Sequence, residues 1–204
     1  MNSDRNKPLP PCPYPGSVIL ASGSPRRQEL LGLIVPRFEI APRREVLESC
    51  DPMTPSLQVP VVLSQLKSKA YSDLLTADNT LLITADTLVI VEGEILGKPR
   101  NAETARRMLR RLSGHTHTVV TGVTLADRHH SRSFSEQTKV KFGHLTGDEI
   151  NTYIETYHPF DKAGAYGIQE WIGCIGIRGI EGDFYNVMGL PLHALYREIK
   201  AFPL

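Results

Sequence analysis

The sequence predicts an α/β fold, because apolar runs typical of buried strands alternate with segments in which apolar residues have helical spacing. The first strand and helix show both signals. Residues 18–20 form an apolar run, and Ser24 followed by Pro25 pairs an N-cap residue with a first-turn proline. Two long strands, at residues 115–126 and 132–142, are predicted further along the chain.

The composition describes one domain, or two closely packed lobes, with enough chain for a substantial core: 204 residues, of which 41% are hydrophobic and 22% charged. A formal net charge of +1 argues against a protein that coats a nucleic acid polymer, since such binding requires a basic face. The three cysteines, Cys12, Cys50 and Cys174, lack metal-ligand spacing and predict reduced thiols in a cytoplasmic protein. No apolar run approaches the length of a membrane span.

The N-terminal segment differs in composition from the rest of the chain. Residues 1–16 are rich in proline and lack the apolar core of a signal peptide, so they predict a flexible arm. Residues 17–204 contain no repeat or low-complexity block and are predicted to form a single domain. Any functional site is therefore expected within that domain.

The turn between the first strand and the first helix favours phosphate binding. A helix N-terminus leaves backbone N–H groups unpaired, and the hydroxyl of Ser22, the permissive Gly23 and the guanidinium groups of Arg26 and Arg27 surround this one. Guanidinium groups match phosphate oxygens in pairs. The alternative is an ordinary capped helix with both arginines in solvent, and these residues alone leave both interpretations open.

The next elements are a strand at residues 37–41, a turn-rich connection at 42–55 and a helix at 59–76. The helix carries Lys67 and Lys69 among its apolar residues. Without further information, these are two surface lysines.

Asp86 interrupts an apolar stretch in which residues 81–84 and 88–91 predict strand structure. A carboxylate between two buried runs is costly unless a partner compensates it, so Asp86 is a candidate functional residue. The alternative is a structural aspartate bonded to backbone N–H groups. A hairpin turn at residues 92–94 places Lys98 one short strand beyond Asp86, which is consistent with a shared site.

Asn101 and Thr146 are predicted N-caps of two further helices, and Thr146 forms a capping box with Glu149. His115 and His117 are two residues apart and lie on the same side of a strand, which suits a metal ion. Because no third ligand lies nearby in the sequence, a structural role is favoured over a metal site.

Residues 161–169 combine an ion-pair candidate, several small residues and a final amide. Small residues allow a planar ligand to approach the backbone, and Gln169 offers both a donor and an acceptor to the edge of a base. The remaining chain predicts strands at residues 171–177 and 180–187 and a helix at 191–201.

Six motifs follow one another along the chain, at residues 20–31, 85–87, 97–99, 112–114 together with His117, 161–169 and 189–191. Together they resemble the Maf family of nucleoside triphosphate pyrophosphatases. The resemblance implies an elongated mixed sheet with flanking helices and two lobes around a central cleft. It also implies hydrolysis of a nucleoside triphosphate between the α- and β-phosphates, which releases a monophosphate and pyrophosphate.

For catalysis, the resemblance implies that Asp86 accepts a proton and that Lys67 and Lys98 act beside it. Lys67 is preferred over Lys69 because of its spacing from Leu63. The residues at positions 17–204 would then form one catalytic domain.

The resemblance also implies a divalent cation, Mg²⁺ or Mn²⁺, with Glu48 and Asp86 as ligands. The sequence departs from the family pattern here, because Leu47 replaces the first acid of an Asp-Glu pair. Whether Asp86 acts as base or as metal ligand stays open at this point.

For the substrate, the resemblance implies the branch that acts on dTTP and UTP, since Gln169, Thr87 and Arg26 match the positions that mark it. A neutral amide can pair with the O4 and N3–H edge of thymine or uracil. Glu170 departs from the glycine that is common after this glutamine. The implied substrate-binding residues are Ser22, Arg26, Arg27, Thr87, Lys162 and Gln169.

Two other functions stay open. One is a pyrophosphatase for 7-methyl-GTP or another noncanonical nucleotide, and the other is a nucleotide-binding regulator of cell division without turnover. The resemblance implies a nucleoside triphosphate as substrate and a homodimer as a possible assembly.

Overall fold

The computed structural model of the chain describes residues 11–47 and 49–203, in which seven strands form one mixed sheet with seven α-helices around it. The predicted α/β fold is confirmed. The strands are β1 (Ser17–Leu20), β2 (Glu39–Ile40), β3 (Thr80–Val91), β4 (Glu94–Leu96), β5 (Thr116–Ala126), β6 (Ser131–Phe142) and β7 (Ile177–Glu181). The helices are α1 (Pro25–Gly32), α2 (Val59–Ala70), α3 (Ala102–Leu112), α4 (Gly147–Tyr157), α5 (Trp171–Gly176), α6 (Phe184–Met188) and α7 (Leu192–Lys200).

The strand order is β2-β1-β3-β5-β6-β7, and β4 pairs with the end of β3 as the predicted hairpin. β1 runs parallel to β2 and β3, whereas the pairs of β3 with β5, β5 with β6 and β6 with β7 are antiparallel. The sheet is therefore mixed, as the family resemblance implies. The two lobes that the resemblance also implies stay a prediction.

Three apolar cores occur within residues 11–47 and 49–203, and the two larger ones include different parts of β3. In the first core, Leu81 and Ala85 of β3 pack with residues of α1 and α7. In the second core, Val89 and Val91 of β3 pack with residues of α3 and α4. The middle of β3 belongs to neither core, and this is the stretch that carries Asp86.

The predicted break at residues 85–87 is wrong, because β3 is one continuous strand of 12 residues. Its middle pairs with β5 residue by residue, with Asp86 opposite Gly122 and Thr87 opposite Thr121. The ladder hydrogen bonds do not depend on side-chain polarity, so the strand continues through a polar residue whose side chain leaves the plane of the sheet.

The two strands predicted at residues 171–177 and 180–187 are also wrong. Most of these residues form the short helices α5 and α6, and only β7 lies between them as a strand. The Asp183 carboxylate accepts a hydrogen bond from the N–H of Tyr185 and so caps α6. A short apolar run fits a strand and a buried helix equally well, which explains the error.

Other predicted helix and strand boundaries agree better with the structure. The N-caps at Asn101 and Thr146 and the capping box are confirmed. The predicted strand at residues 37–41 is reduced to the two residues of β2. Helix α2 ends at Ala70, and a 3₁₀ turn at Ser72–Leu74 takes the place of its predicted last turn.

Helix α2 is held against the sheet by close contacts that fix the position of Lys67. The hydroxyl of Thr84 on β3 donates to Ser64 O of α2 at 2.7 Å. A Cβ atom at Gly122 of β5 would lie 2.3 Å from the backbone of Pro60. Only glycine allows the helix to approach the strand this closely.

The remaining sequence predictions concern the N-terminal arm, the predicted metal ligand Glu48, the cysteines and membrane-spanning helices. Residues 1–10 of the predicted arm and Glu48, a predicted metal ligand, lie outside the described residues. Cys12, Cys50 and Cys174 are unpaired, as predicted. Within residues 11–47 and 49–203, no helix combines the length and the apolar character needed to cross a bilayer.

Candidate active site

Asp86 and Lys67 form an ion pair between β3 and α2. Lys67 Nζ donates to Asp86 Oδ1 at 2.6 Å, and the side chains of Lys67 and Asp86 are only 15% and 13% exposed. A pair this sheltered from water orients the carboxylate more firmly than a surface pair does. Asp86 Oδ2 has no hydrogen-bond partner among the described residues, so one carboxylate oxygen is available to a proton or a cation. Lys69 is exposed on the same helix.

Two adjoining cavities open beside this pair. The larger, about 350 Å³, contains Ser22 and Gly23 of the turn before α1 and is called the Ser22 cavity. The smaller, about 100 Å³, contains Gln169 and is called the Gln169 cavity. Shared lining residues join them into one polar site: Ser24, Arg26, Arg27, Lys67, Lys98 and Asp161.

The structure brings most of the predicted site residues together, although they come from distant parts of the chain. Ser22 lines the cavity named after it. Only Glu48, outside the described residues, is not placed. The predicted residues that line the Gln169 cavity are Arg26, Arg27, Lys67, Asp86, Thr87, Lys98, Lys162 and Gln169.

The site carries an excess of positive charge. Five cationic side chains and two carboxylates line the Gln169 cavity. Arg43 extends the positive surface into the Ser22 cavity, and Arg44, whose charge Asp73 compensates, lines the same cavity. Because a concave surface with this excess attracts polyanions, the site favours a ligand with several phosphate groups.

Arg26 faces both cavities from the first turn of α1. Its Nη1 lies 2.6 Å from Asp161 Oδ2, and the side chain keeps 21% of its surface exposed. Burial alone would raise the pKa of Asp161, but the hydrogen bonds and charges of Lys162 and Arg26 outweigh it and lower that pKa to about 2. Asp161 is therefore an ionised counter-charge shared by two cations.

Arg27, the next residue, is bound mainly within the protein. It donates to Ala85 O and Thr87 Oγ1 of β3, both at 2.9 Å, and to Gly189 O at 2.8 Å. Thr87 Oγ1 lies in turn 2.9 Å from the hydroxyl of Thr121. Arg27 therefore fastens α1 to the middle of β3 and to the turn after α6.

Lys98 and Lys162 both line the Gln169 cavity, but they differ in exposure and in charge compensation. Lys98 follows β4, is exposed, and makes no side-chain hydrogen bond or ion pair with the described residues. Lys162 is 8% exposed and lies 2.9 Å from Asp161 Oδ1 and 3.0 Å from Glu170 Oε1. Lys98 is thus available to a ligand, whereas two carboxylates already compensate the charge of Lys162.

Gln169 is exposed on the cavity wall at the end of a loop of small residues. Its amide makes no side-chain hydrogen bond with the described part of the chain, so its donor and acceptor groups are open to a ligand. Val89, Val119 and Tyr166 add apolar surface to the same cavity. An amide beside apolar surface suits a planar heterocycle.

His117 is buried on β5 beside the second core. Its Nε2 lies 2.7 Å from Tyr166 Oη, and its ring packs against Phe142 with the centroids 5.5 Å apart. His115 is exposed, and no group of three or more potential ligands that could hold a metal ion occurs within residues 11–47 and 49–203. The burial of His117 agrees with the structural role favoured from the sequence.

We expect His117 to make the protein less stable as the pH falls. Burial lowers the pKa of His117 from 6.5 to about 4, so the folded state resists a proton that the unfolded chain accepts. The contribution of His117 to the free energy of unfolding is therefore full above pH 6.5, decreases by about 3 kcal/mol between pH 6.5 and 4, and changes no further below pH 4. Urea unfolding of the wild type and of His117→Gln across this range measures it.

The exposed His115 provides the control for this prediction. His115→Gln should keep the pH dependence of the wild type, whereas His117→Gln should flatten it. Equal pH slopes for the wild type and His117→Gln would show that another group causes the loss.

Sequence reasoning missed three contributors to the site. Arg43 and Arg44 line the Ser22 cavity, and two consecutive arginines after a predicted strand were a usable signal. Glu170, noted only as a departure from the family pattern, binds Lys162. No local pattern predicts that pair, because the intervening loop is irregular and brings the two residues together by tertiary folding.

Comparison with known proteins shows which proteins this chain is similar to. Residues 17–202 match the family model described as Maf-like protein. A dTTP/UTP pyrophosphatase of Porphyromonas gingivalis is 53% identical over 186 residues, which cover 91% of this chain and 94% of the relative. The dTTP/UTP pyrophosphatase of Phocaeicola vulgatus is 47% identical over 183 residues, covering 90% of this chain and 94% of the relative. That of Cytophaga hutchinsonii is 46% identical over 185 residues, covering 90% and 83%.

Proposed function

Because the chain belongs to the Maf family, we propose that it hydrolyses dTTP and UTP to the corresponding monophosphate and pyrophosphate. The observation that carries this proposal is the Gln169 cavity, where a sheltered carboxylate, five cations and an open amide converge. The three relatives described above, which are named dTTP/UTP pyrophosphatases, support it.

In the proposed reaction, Asp86 accepts the proton of the attacking water. The water oxygen forms a bond to the α-phosphorus, its proton passes to Asp86 Oδ2, and the bond from the α-phosphorus to the oxygen that bridges to the β-phosphate breaks. Pyrophosphate carries away the electrons of that bond. Lys67 holds the other carboxylate oxygen throughout, so the acceptor keeps its orientation.

The cationic residues are proposed to hold the triphosphate while this happens. Lys98 and Arg26 have exposed surface at the cavities and supply direct counter-charge. Ser22, Arg27 and Lys162 are proposed to complete the phosphate side of the site. Such fixed charges stabilise the charge that develops on the leaving phosphate, and they do so without reorganisation during the reaction.

The residues present fit a divalent cation that binds together with the substrate. Mg²⁺ commonly uses one or two protein carboxylates and completes its shell with phosphate oxygens and water. As the alternative to accepting the proton, Asp86 would offer its open oxygen to this cation, with Glu48 as the second proposed ligand. When bound, a cation of this kind would neutralise part of the triphosphate charge.

Pyrophosphate release from dTTP, UTP, CTP, GTP and 7-methyl-GTP, with Mg²⁺ or Mn²⁺ present, tests the proposal. We expect kcat/KM to be highest for dTTP and UTP. Gln169→Glu should lower both values by about 10- to 100-fold, because it replaces the amide donor by a carboxylate. Gln137→Glu makes the same change at an exposed position of β6. It is the matched control and should keep the wild-type values of kcat/KM.

The panel also distinguishes the other functions that the sequence leaves open. Activity confined to 7-methyl-GTP would support the proposed reaction but contradict the proposed preference for thymine and uracil nucleotides. Nucleotide binding without pyrophosphate release from any of the five substrates would indicate a regulator and contradict the proposed hydrolysis.

A further inference from the structure

Glu170 follows Gln169 in the chain, and both of its carboxylate oxygens are engaged. Oε1 lies 3.0 Å from Lys162 Nζ, and Oε2 accepts a hydrogen bond from the hydroxyl of Tyr153. Tyr153 is fully buried in the second core. A carboxylate bonded at both oxygens, one of them to a core residue, has a fixed position.

The backbone contacts of Glu170 fix the segment that carries Gln169. The N–H of Glu170 donates to Gly167 O at 3.0 Å, and Glu170 O accepts from the N–H of Gly173 at 2.9 Å where α5 begins. The N–H of Gly167 donates to Tyr153 Oη at 3.0 Å. Tyr153 therefore holds both ends of the segment that places Gln169 on the cavity wall.

The loop is also shaped to admit this carboxylate. A Cβ atom at Gly167 would lie 2.8 Å from Cδ of Glu170 and 2.9 Å from its Oε2. A Cβ atom this close would displace the carboxylate from the position in which Tyr153 and Lys162 hold it, so the absence of a side chain at Gly167 leaves the room that Glu170 occupies.

Glu170 completes the charge balance at Lys162 as well. Lys162 is buried, and its other carboxylate partner, Asp161, is shared with Arg26. A buried ammonium group is costly unless carboxylates compensate it. Removing the charge of Glu170 would therefore leave Lys162, among the described residues, with only the carboxylate of Asp161, which Arg26 already shares.

We propose that Glu170, held by Tyr153, is a positioning residue that sets the base specificity of the site. It fixes Gln169 for the edge of thymine or uracil and keeps Lys162 against the cavity wall, and it acts through these residues without touching the substrate. This inference rests on the proposed hydrolysis of dTTP and UTP.

The test uses Glu170→Gln, which keeps the size of the side chain and removes its charge, and Tyr153→Phe, which removes one hydroxyl. In both variants we expect KM for dTTP to rise by about 10-fold, and the ratio of kcat/KM for dTTP to that for dCTP to fall by about 10-fold. The value of kcat should stay within about threefold of the wild type, since Asp86 and Lys67 are unchanged. A loss of stability alone would not move the ratio between two substrates.

Matched controls lie on exposed positions of α4, the helix that carries Tyr153. Glu155→Gln and Tyr157→Phe make the same chemical changes there and should keep both KM and the ratio. Calorimetric binding of dTMP and dCMP adds a measurement that does not require turnover. We expect the wild type to prefer dTMP and both test variants to lose most of that preference.

The possible outcomes separate the inference from the proposed function. If the wild type hydrolyses dTTP but both variants keep its discrimination against dCTP, the inference is overturned and the proposed function stands. If the wild type hydrolyses neither dTTP nor UTP, the proposed function fails, and the preference for dTMP over dCMP in the variants still decides the role of Glu170.

Discussion

Asp86→Asn is expected to lower kcat for dTTP by about 10²- to 10⁴-fold while KM changes little, because an amide cannot accept the proton of the attacking water. Asparagine has nearly the same shape as aspartate, and its amide oxygen can still accept the hydrogen bond that Lys67 Nζ now donates at 2.6 Å. The fold and the binding of the triphosphate should therefore persist. Pyrophosphate release at saturating dTTP measures kcat, and its dependence on dTTP concentration gives KM.

Asp148→Asn makes the same chemical change in the exposed first turn of α4 and serves as its control. This variant should keep the wild-type kcat. If Asp86→Asn retains a kcat within about threefold of the wild type, the carboxylate does not accept the proton, and its contribution lies in binding alone.

The features that the sequence predicted well depend on residues that lie close together in the chain. The N-caps at Asn101 and Thr146 and the hairpin after β3 each need only a few neighbouring residues. The same holds for the basic turn at residues 22–27, which has strand, turn and helix within one short stretch. Local propensity and the final fold agree at these positions, so a pattern of residue types is enough to find them.

The features that the sequence missed arise from contacts between distant segments. Nothing near Asp86 in the chain shows that β5 pairs with it, and only the family resemblance implied that Lys67 of α2 acts beside it. Helices α5 and α6 are too short for their apolar spacing to distinguish them from strands. In both cases packing against other elements decides the conformation, and a single sequence does not display that packing.

The two arginines of the basic turn show most clearly that a single sequence does not display tertiary packing. Arg26 and Arg27 are adjacent and identical in type, but their surroundings in the structure differ. The sequence left two interpretations open for both, phosphate binding or exposure to solvent. The structure gives Arg27 a third role, since its guanidinium group donates to three oxygens on β3 and the turn after α6. Arg26 also lines the cavity, and its one side-chain partner within residues 11–47 and 49–203 is the partly exposed carboxylate of Asp161.

We therefore expect Arg27→Met to lower the free energy of unfolding by about 2–4 kcal/mol, because it removes several charge-assisted hydrogen bonds and leaves their acceptors without a donor. The methionine side chain also cannot join α1 to β3. Urea unfolding measures the loss of stability. Because Thr87 loses a donor at the same time, kcat/KM for dTTP should fall as well.

Arg26→Met is the matched variant, one residue away, and should behave in the opposite way. Its partner Asp161 is 54% exposed and keeps Lys162 as a counter-ion, so the lost pair should cost at most about 1 kcal/mol of stability. The lost charge at the cavity should instead raise KM for dTTP by about 10-fold, the effect of one charge-assisted contact to phosphate. Measuring unfolding and steady-state kinetics on both variants separates the two roles. Equal losses of stability in Arg26→Met and Arg27→Met would contradict the assignment, because they would mean that the contacts of Arg27 with β3 add nothing beyond a surface ion pair.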